Sequence, residues 1–579
     1  MKTCTLSINN KSITVEAGTT LLEAAKKAGY FIPTLCNHPD QEIKANCRIC
    51  VVEDKTAGKF VTSCSTMVYD GAEIFTNTAE VRELQAGILE LILANHPNDC
   101  LNCIRNESCE LRQLCERFHI RNFNLESDID VYPIDNTSGV LVRDRNKCIK
   151  CMRCVEACQE TQMVGVLSPS YRSINTCISA GFDENYDQTL CTFCGQCSAV
   201  CPVGAIYEYD ENEKVWEALN NPEKHVIVQT APAVRVGLGE EFGMLKGSKV
   251  TGKMVTALKM LGFDKVFDTD FAADLTIMEE GTELLSRIKN GGTLPMITSC
   301  SPGWINYAEG FFPDLLDHLS TCKSPQQMFG AVAKTYYAKK SGIDPADIFT
   351  VSIMPCTAKK YECKRPEMNS SGYRDVDVVL TTRELARLIK NAGIDFNNLE
   401  EENFDSIMGV SSGAAVIFGA TGGVMEAALR TVYEIVTQKT LEKLEFEDVR
   451  GLEGIKQATI DLAGTPVKVA VAHGLGNAHK IMEMVRNGEA SDYAFIEIMS
   501  CTGGCSGGGG QPVGANKLIK SKRITTIYNI DKEMPIRKSH ENPEIKQLYE
   551  EFLGEPNSHL SHDLLHTHYH QRKKKQGAF

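Results

Sequence analysis

Two short runs of regularly spaced cysteines constrain this chain more than any other feature of its sequence. Each has the spacing C-x2-C-x2-C-x3-C: "CIKCMRCVEAC" supplies Cys148, Cys151, Cys154 and Cys158, and "CTFCGQCSAVCP" supplies Cys191, Cys194, Cys197 and Cys201. In proteins with two [4Fe–4S] clusters, each such run gives its fourth cysteine to the other cluster. The spacing therefore predicts one cluster on Cys148, Cys151, Cys154 and Cys201, and a second on Cys191, Cys194, Cys197 and Cys158.

The amino-terminal part of the chain carries a further group of four cysteines. The stretch "LSINNKSITVEAGTTLLEAAKKAGY" alternates apolar and polar residues around an Asn-Asn turn and then takes a helical period. This order predicts a β-grasp unit. Cys36, Cys47, Cys50 and Cys64 follow, and their spacing resembles that of a plant-type [2Fe–2S] ferredoxin, with a longer first gap. Free or zinc-bound thiols are the alternative.

Residues 79–125 have a helical pattern and contain one histidine among three cysteines. The segment "NHPNDCLNCIRNESC" supplies His96, Cys100, Cys103 and Cys109. Three thiolates and an imidazole suit tetrahedral zinc. Because the next segment predicts two iron–sulfur clusters, a further [4Fe–4S] cluster is the favoured interpretation here.

From about residue 222 the pattern becomes that of an α/β domain. Short apolar strands such as "PMITSC", "IFTVSIMPC" and "YAFIEIMSC" alternate with helical stretches. These three strands end directly in Cys300, Cys356 and Cys501, and Cys505 follows in "CTGGCSGGGG". Ligands of open α/β sheets lie outside the carboxyl ends of the strands, so we expect the four thiols to converge on a fifth metal site.

Composition narrows the possible partners and the compartment. The chain has 24 cysteines, and metal binding is their expected use in the reducing cytosol. A formal charge of −14 argues against nucleic acid or an anionic membrane surface as the main partner. The opening "MKTCTLSINNKSITVEAG" has no apolar signal core, and no uninterrupted run of about 18 apolar residues follows. We therefore expect a cytoplasmic protein without a membrane anchor.

Three segments of the α/β region resemble the signature motifs of [FeFe]-hydrogenases. They are "PMITSCSPGW" (295–304), "MPCTAKKYE" (354–362) and "EIMSCTGGCSGGGGQP" (497–512). The order of the four predicted accessory clusters resembles the long clostridial type, and the resemblance covers about residues 1–570. The first 210 residues are also similar to the large iron–sulfur subunit of complex I, which has no reason to carry the three motifs.

The resemblance implies an H-cluster, which is a [4Fe–4S] cubane joined through a cysteine sulfur to a di-iron unit. The di-iron unit bears carbon monoxide, cyanide and a bridging dithiolate, which dedicated maturation proteins must make because side chains cannot. Position for position, Cys356, Cys501 and Cys505 match cubane ligands, with Cys505 as the bridge.

Three further residues match positions around the di-iron unit. Lys359 matches a residue that hydrogen-bonds a cyanide, and a solvated lysine at a helix end is the alternative. Met354 and Met499 match residues packed around the di-iron unit, although methionine also occupies apolar strand ends for packing alone.

Proton transfer needs a route of its own. The spacing of Glu280, Glu283 and Arg287 places them on one face of the helix predicted by "ADLTIMEEGTELLSRIKN". From spacing alone, a solvated charged stripe is the better interpretation. The resemblance implies instead a proton relay from the surface, with a serine that matches Ser320.

The first motif departs from the family pattern at one position. Familiar members have two adjacent cysteines, of which the one before the proline binds the cubane and the preceding one gives the last proton to the bridging amine. Here an ungapped match puts Cys300 on the proton donor and Ser301 on the ligand. Because a thiolate is soft and forms more readily than an alkoxide, we expect iron to prefer Cys300, which would leave Ser301 in the relay.

The expected architecture is a multidomain α+β protein. Its predicted parts are a β-grasp [2Fe–2S] ferredoxin-like domain (1–78), a helical one-histidine three-cysteine [4Fe–4S] domain (79–125), a two-[4Fe–4S] ferredoxin-like domain (138–210), a large α/β H-cluster domain (222–535) and a small-subunit-like segment and tail (536–579).

The resemblance implies the reversible reaction 2H⁺ + 2e⁻ ⇌ H₂, with electrons carried by four accessory clusters. Ferredoxin or NAD(P)-linked diaphorase subunits are the expected partners. The chain itself contains no flavin or nucleotide motif, so partner subunits would have to supply those groups. A hydrogen-sensing or electron-transfer subunit with impaired catalysis is the alternative, motivated by Ser301.

Overall fold

The computed structural model of the protein describes residues 2–121, 125, 131–181, 184–462 and 465–573. The end of the predicted tail, 574–579, lies outside these residues. Within them, no helix has both the length and the apolar character that crossing a bilayer requires.

The alternating amino-terminal segment folds into the predicted hairpin followed by a helix. Asn9 and Asn10 take positive φ angles of 48° and 68° and turn the chain between the first two strands. The helix begins at a capping box formed by Thr20 and Glu23. The elements are β1 (Thr3–Ile8), β2 (Lys11–Glu16), α1 (Leu21–Ala28), β3 (Val51–Asp54), β4 (Lys59–Thr62) and β5 (Glu73–Phe75), in a sheet of order β2-β1-β5-β3-β4.

The following region is built from short elements that hold the cysteine runs. They are α2 (Ala79–Ala94), α3 (Glu110–Arg117), β6 (Leu141–Arg143), α4 (Arg153–Glu156), β7 (Leu167–Ser170), β8 (Cys177–Ala180), α5 (Gln196–Val200), β9 (Ile206–Glu208) and α6 (Asn212–Leu219). Strand β6 pairs with β9 and β7 with β8, both antiparallel. Each cysteine run turns into a short helix through a left-handed residue, Met152 in one run and Gly195 in the other.

The large domain contains two four-stranded sheets that are mostly parallel. Their order is β11-β10-β13-β14 in one and β12-β17-β16-β15 in the other. The strands are β10 (His225–Thr230), β11 (Lys265–Asp268), β12 (Met296–Ile297), β13 (Ile348–Met354), β14 (Val378–Thr381), β15 (Ile455–Leu462), β16 (Thr465–His473) and β17 (Tyr493–Met499). The apolar segments predicted as strands all form strands, and β11 and β15 are additions to the prediction.

Helices cover the faces of both sheets. They are α7 (Thr251–Met260), α8 (Thr269–Asn290), α9 (Pro302–Phe311), α10 (Pro325–Val332), α11 (Ala338–Ser341), α12 (Ala358–Glu362), α13 (Thr382–Asn391), α14 (Gly413–Val416), α15 (Gly423–Thr437), α16 (Leu475–Arg486), α17 (Lys517–Glu533), α18 (Pro543–Leu548) and α19 (His559–Leu565). The predicted helix around "TIMEEGTELLSRIKN" is α8, which starts at the N-cap Asp268 and stops at Gly291 with φ 73°. Its long buried face carries the predicted relay into the domain.

Candidate functional site

The carboxyl ends of the two large-domain sheets meet at a cavity of about 700 Å³ whose lining includes four cysteines. Cys300 and Cys501 follow β12 and β17 of one sheet, and Cys356 follows β13 of the other. Cys505 lies on the glycine-rich turn that comes next. The structure therefore brings together the four thiols that the strand ends predict to converge.

The chemistry of this donor set fits an iron–sulfur group. Burial raises the pKa of the Cys356 and Cys501 thiols and that of Cys505 to about 12. A thiol must lose its proton to bind iron, so metal binding at these thiols releases protons. Because the pKa values of the thiols are raised, only a strongly bound metal displaces those protons. Much of the remaining lining is apolar, including Ala231, Pro232, Ala273, Pro325 and Phe418. Soft thiol ligands in a dry cavity suit iron–sulfur clusters.

Lys359 is buried at the edge of the cavity rather than solvated. Its Nζ donates to the carbonyl oxygen of Cys300 at 3.2 Å and pairs with Oε2 of Glu362 at 2.9 Å. Met354 and Met499 both line the cavity and both also belong to the apolar cores behind it. These methionines therefore serve packing and cavity lining at once.

Three of the predicted relay residues, Glu283, Arg287 and Ser320, form a hydrogen-bonded cluster, and the carboxylate oxygens of the fourth, Glu280, are buried without a hydrogen-bond partner among the described residues. Ser320 Oγ donates to Oε2 of Glu283 at 2.9 Å, and Arg287 Nη2 donates to its Oε1 at 2.6 Å. Glu280 is 2 % exposed, and burial together with the charge of Glu283 raises its pKa to about 8. The relay side chains on α8 are thus largely buried, whereas the solvated-stripe interpretation predicts that they are exposed.

Cys300 and Ser301 have different neighbours although they are adjacent in the chain. Burial and then the charge of Glu280 raise the pKa of Cys300 well above its usual range. Ser301 Oγ donates to Ser500 Oγ at 3.2 Å and accepts from the Ser500 N–H at 3.2 Å. Ser500 Oγ in turn lies 3.7 Å from Sγ of Cys501. Both residues line the cavity, and the charge of Glu280 acts on Cys300, whereas Ser301 is hydrogen-bonded to the segment that carries Cys501.

Two smaller cavities gather the cysteines of the two runs in crossed sets. One of about 420 Å³ has Cys148, Cys151, Cys154 and Cys201 in its lining. The other, of about 340 Å³, has Cys158, Cys191, Cys194 and Cys197 in its lining. Each cavity combines three cysteines of one run with the fourth of the other, which is the arrangement predicted for two [4Fe–4S] clusters.

The four amino-terminal thiols also lie together. Hydrogen bonds from Cys47 lower the pKa of Cys36 to about 5, and a hydrogen bond from Cys64 lowers that of Cys50 to about 6. Contacts between thiols of this kind place the sulfur atoms around a common centre. That grouping fits the predicted [2Fe–2S] cluster.

The one-histidine three-cysteine group lies beside the two-cluster region. His96 Nε2 is buried and has no hydrogen-bond partner among the described residues, and burial lowers the pKa of its imidazole. A neutral imidazole with an unused nitrogen suits a metal ligand. Cys103 Sγ lies 2.6 Å from where a side-chain carbon at Gly204 would sit, so this group closely approaches the second cysteine run. Burial, followed by the charges of Cys103 and Cys100, raises the pKa of the Cys109 thiol, so the three thiols lie near one another.

The accessory sites adjoin one another and the large cavity. A side-chain carbon at Gly509 would overlap the carbonyl oxygen of Cys194, and Gln196 Nε2 donates to the Gly507 carbonyl at 2.9 Å. At the amino-terminal end, Gln41 Nε2 donates to the carbonyl of Arg153 at 2.8 Å. Contacts thus link the amino-terminal loop to the first cysteine run, and the second cysteine run to the turn that carries Cys505.

Some lining residues of the large cavity have no signal in the sequence. Thr269, Gln326 and Phe418 reach it from α8, α10 and the segment after α14, which are far apart in the chain. Ser500 lies inside the third motif, but the motif assigns it no role, and its hydrogen bonds to Ser301 become visible only in the structure.

Models of known protein families match five stretches of the chain. They are described as iron only hydrogenase large subunit, C-terminal domain (224–509), iron hydrogenase small subunit (517–572), 2Fe-2S iron-sulfur cluster binding domain (1–79), NADH-ubiquinone oxidoreductase-G iron-sulfur binding region (85–123) and 4Fe-4S dicluster domain (147–205).

Individual relatives extend the similarity over nearly the whole chain. The NADP-reducing hydrogenase subunit HndD of Solidesulfovibrio fructosivorans is 50% identical over 99% of this chain and 100% of its own length. Iron hydrogenase 1 of Clostridium pasteurianum is 44% identical over 98% of this chain and 99% of its own. A structure of a variant of the [FeFe]-hydrogenase HydA1 from Chlamydomonas reinhardtii superposes with a TM-score of 0.56 at 45% identity, covering 62% of this chain and 98% of the other.

Proposed function

Because the chain belongs to the iron-only hydrogenase family and is an [FeFe]-hydrogenase, we propose that it interconverts protons, electrons and H₂ in the cavity of Cys300, Cys356, Cys501 and Cys505. The observation that carries this assignment is a cavity lined by four thiols, with the Cys194 segment packed against its glycine-rich turn and the charge of the buried Glu280 acting on Cys300. When bound, the H-cluster supplies the redox chemistry at iron. The protein supplies ligands, protons and an apolar enclosure.

In this proposal Cys356, Cys501 and Cys505 would hold the [4Fe–4S] part of the H-cluster, and Cys505 would also hold the di-iron unit. Lys359 would donate a charged hydrogen bond to a diatomic anion, for which its position in the cavity lining is suitable. Met354 and Met499 exclude water from the same space. Dedicated maturation proteins must deliver the di-iron unit.

The proton route in this proposal starts at Arg287 and passes Glu283, Ser320 and Glu280 to Cys300. The hydrogen bonds from Ser320 and Arg287 to Glu283 support the outer half of the route. The raised pKa of Glu280 supports the inner half, because a carboxyl that titrates near neutral pH can both hold and release a proton.

We assign the last proton transfer to Cys300 and the fourth corner of the cubane to Ser301. This reverses the preference expected from ligand chemistry alone. Two contacts support it: the charge of Glu280 acts on Cys300, and the Ser301 hydroxyl hydrogen-bonds Ser500 beside Cys501. Cys300→Ala should then keep full iron content and lose turnover. Loss of cubane iron in Cys300→Ala would instead identify Cys300 as the ligand.

Electrons enter in this proposal through one [2Fe–2S] and three [4Fe–4S] accessory clusters. The site of Cys194 adjoins the large cavity, which supports its role as the last donor. The relative named as a subunit of an NADP-reducing hydrogenase favours a nucleotide-linked partner over ferredoxin alone. Copurification of a flavin-containing subunit from the native host would support this, and a chain that purifies alone and accepts electrons only from ferredoxin would contradict it.

The experiment that tests the function is hydrogen evolution from a chemically reduced viologen by anaerobically purified, matured protein. Fast evolution is expected, and Cys505→Ala is the matched control that should abolish it. No evolution from protein with full iron content would contradict the proposal and favour the alternative of a sensing or electron-transfer subunit. Similarity to named hydrogenases over nearly the full length weighs against that alternative.

A further inference from the structure

A buried lysine lies across the turn that carries two of the proposed cubane ligands. Lys520 of α17 is 8 % exposed. Its Cδ and Cε atoms both lie 3.2 Å from where a side-chain carbon at Gly507 would sit, and its Cβ lies 3.7 Å from the same point at Gly503. The lysine stem is therefore packed on the turn between Cys501 and Gly507.

The partner of this lysine comes from the amino-terminal module. Nζ of Lys520 lies 3.7 Å from Oδ2 of Asp40, and the two side chains are 10% and 15% exposed. Asp40 follows Cys36 on the loop of the predicted [2Fe–2S] site, and its Oδ2 has no hydrogen-bond partner among the described residues. Gln41 fixes the same loop to the carbonyl of Arg153. Two parts of the chain that are far apart in sequence thus share one buried charge pair.

A fixed charge close to a redox centre changes the energies of its two oxidation states unequally. A positive charge stabilises the reduced form, which is more negative, and so raises the reduction potential, and burial strengthens the effect by limiting solvent screening. The packing of its Cδ and Cε atoms on Gly507 holds the charged end of Lys520 beside the turn that carries Cys501 and Cys505. A nearby carboxylate partly cancels such a field.

We propose that Lys520 tunes the reduction potential of the [4Fe–4S] unit held by Cys501, and that Asp40 of the amino-terminal module moderates this effect. The inference rests on the proposed function, since it requires a cluster on Cys501. Lys520 is then a positioning residue that acts through its charge. The position of the [2Fe–2S] module, which carries Asp40, also affects the electrostatic field at the catalytic site. A purely structural ion pair would join the two modules without affecting the potential.

The test is a potential titration of the matured full-length enzyme followed by infrared spectroscopy. The carbon monoxide and cyanide bands report on the charge of the attached [4Fe–4S] unit. Lys520→Met should shift the midpoint to lower potential, and Asp40→Asn should shift it to higher potential. Lys522→Met is the matched control, because Lys522 lies on the same helix with an exposed side chain and should leave the midpoint unchanged.

Two further variants separate charge from structure. Lys520→Arg keeps the charge and should keep the midpoint near that of the wild type. The double variant Lys520→Met/Asp40→Asn should fall between its parents. Equal midpoints for Lys520→Met and Lys522→Met, or shifts of the same sign for Lys520→Met and Asp40→Asn, would overturn the inference. A wild-type chain with these bands but no hydrogen evolution would contradict the proposed function, while the midpoints would still decide the role of Lys520.

Discussion

Replacing Glu280 by glutamine should stop proton delivery and leave the fold in place. Glu280 is 2 % exposed, and burial followed by the charge of Glu283 raises its pKa from 4.5 to about 8. At pH 7 about nine in ten of these carboxyls hold their proton. Glutamine resembles the protonated form in shape and charge, so the variant keeps the dominant neutral state and removes only the transferable proton.

The same shift gives a stability prediction whose sign follows from proton binding. The folded chain holds the Glu280 proton up to about pH 8, whereas the unfolded chain loses it near pH 4.5. The wild type is therefore progressively destabilised between these values, by roughly 5 kcal/mol for the full shift. Glu280→Gln lacks this penalty, so its resistance to unfolding relative to the wild type should increase as the pH rises to 8.

Hydrogen evolution from reduced viologen measures the functional effect. Loss of one proton-transfer group should lower the rate roughly 10²–10⁴-fold. Asp274→Asn is the matched control: it lies on the same helix, is fully buried, and can keep its hydrogen bonds to Ser412 and Asn542. A Glu280→Gln enzyme with full iron content and more than about a tenth of the wild-type rate would refute the relay.

Three further substitutions test other parts of the structure. Arg383→Met leaves the buried Glu208 with Arg387 as its remaining ion-pair partner and should cost roughly 1–3 kcal/mol of stability by denaturant unfolding, whereas Arg486→Met breaks an exposed pair and should cost less than about 1 kcal/mol; equal losses would contradict this. Cys201→Ala, which removes the ligand atom, should remove about four irons per chain, and the anomalous signal of iron should vanish from the cavity of the first cysteine run; loss from the other cavity would exclude the crossed assignment. Ser301→Cys should slow removal of cubane iron by a chelator, and an unchanged rate would argue against a ligand at this position.

The sequence predicts the large-domain strands well because they combine apolar runs with a chemical marker at the end. Three of them stop at cysteine, and their carboxyl ends do meet at one cavity. Strand β11 escapes prediction because it has only four residues, and β15 because its apolar positions are separated by polar ones. The sequence also does not predict the burial of Lys520. That burial depends on an ion pair with Asp40, which is far away in the chain, and on packing against Gly507 in the turn that precedes its helix.

The roles of Cys300 and Ser301 could not be read from the sequence for a different reason. The ungapped family match puts Ser301 on the ligand position and ligand chemistry favours Cys300, and adjacent residues share one local pattern that does not decide between the two. Ser301 is the N-cap residue of α9, with φ −101° and ψ 99°. Its surroundings are fixed by its hydrogen bonds to Ser500, which is a contact across 199 residues.

In the proposed function, protons and electrons reach the cavity through different residues, and this separation makes the two routes experimentally distinguishable. Glu280 acts on Cys300, whereas the Cys194 site adjoins the turn that Lys520 covers. The residual activity of Glu280→Gln should therefore lack the fall that titration of Glu280 causes above pH 8, and its midpoint potential should stay unchanged. Lys520→Met should shift the midpoint potential and leave the pH profile unchanged. If either substitution moved both quantities by similar amounts, the two routes would share a group, and the assignment of separate proton and electron paths would be wrong.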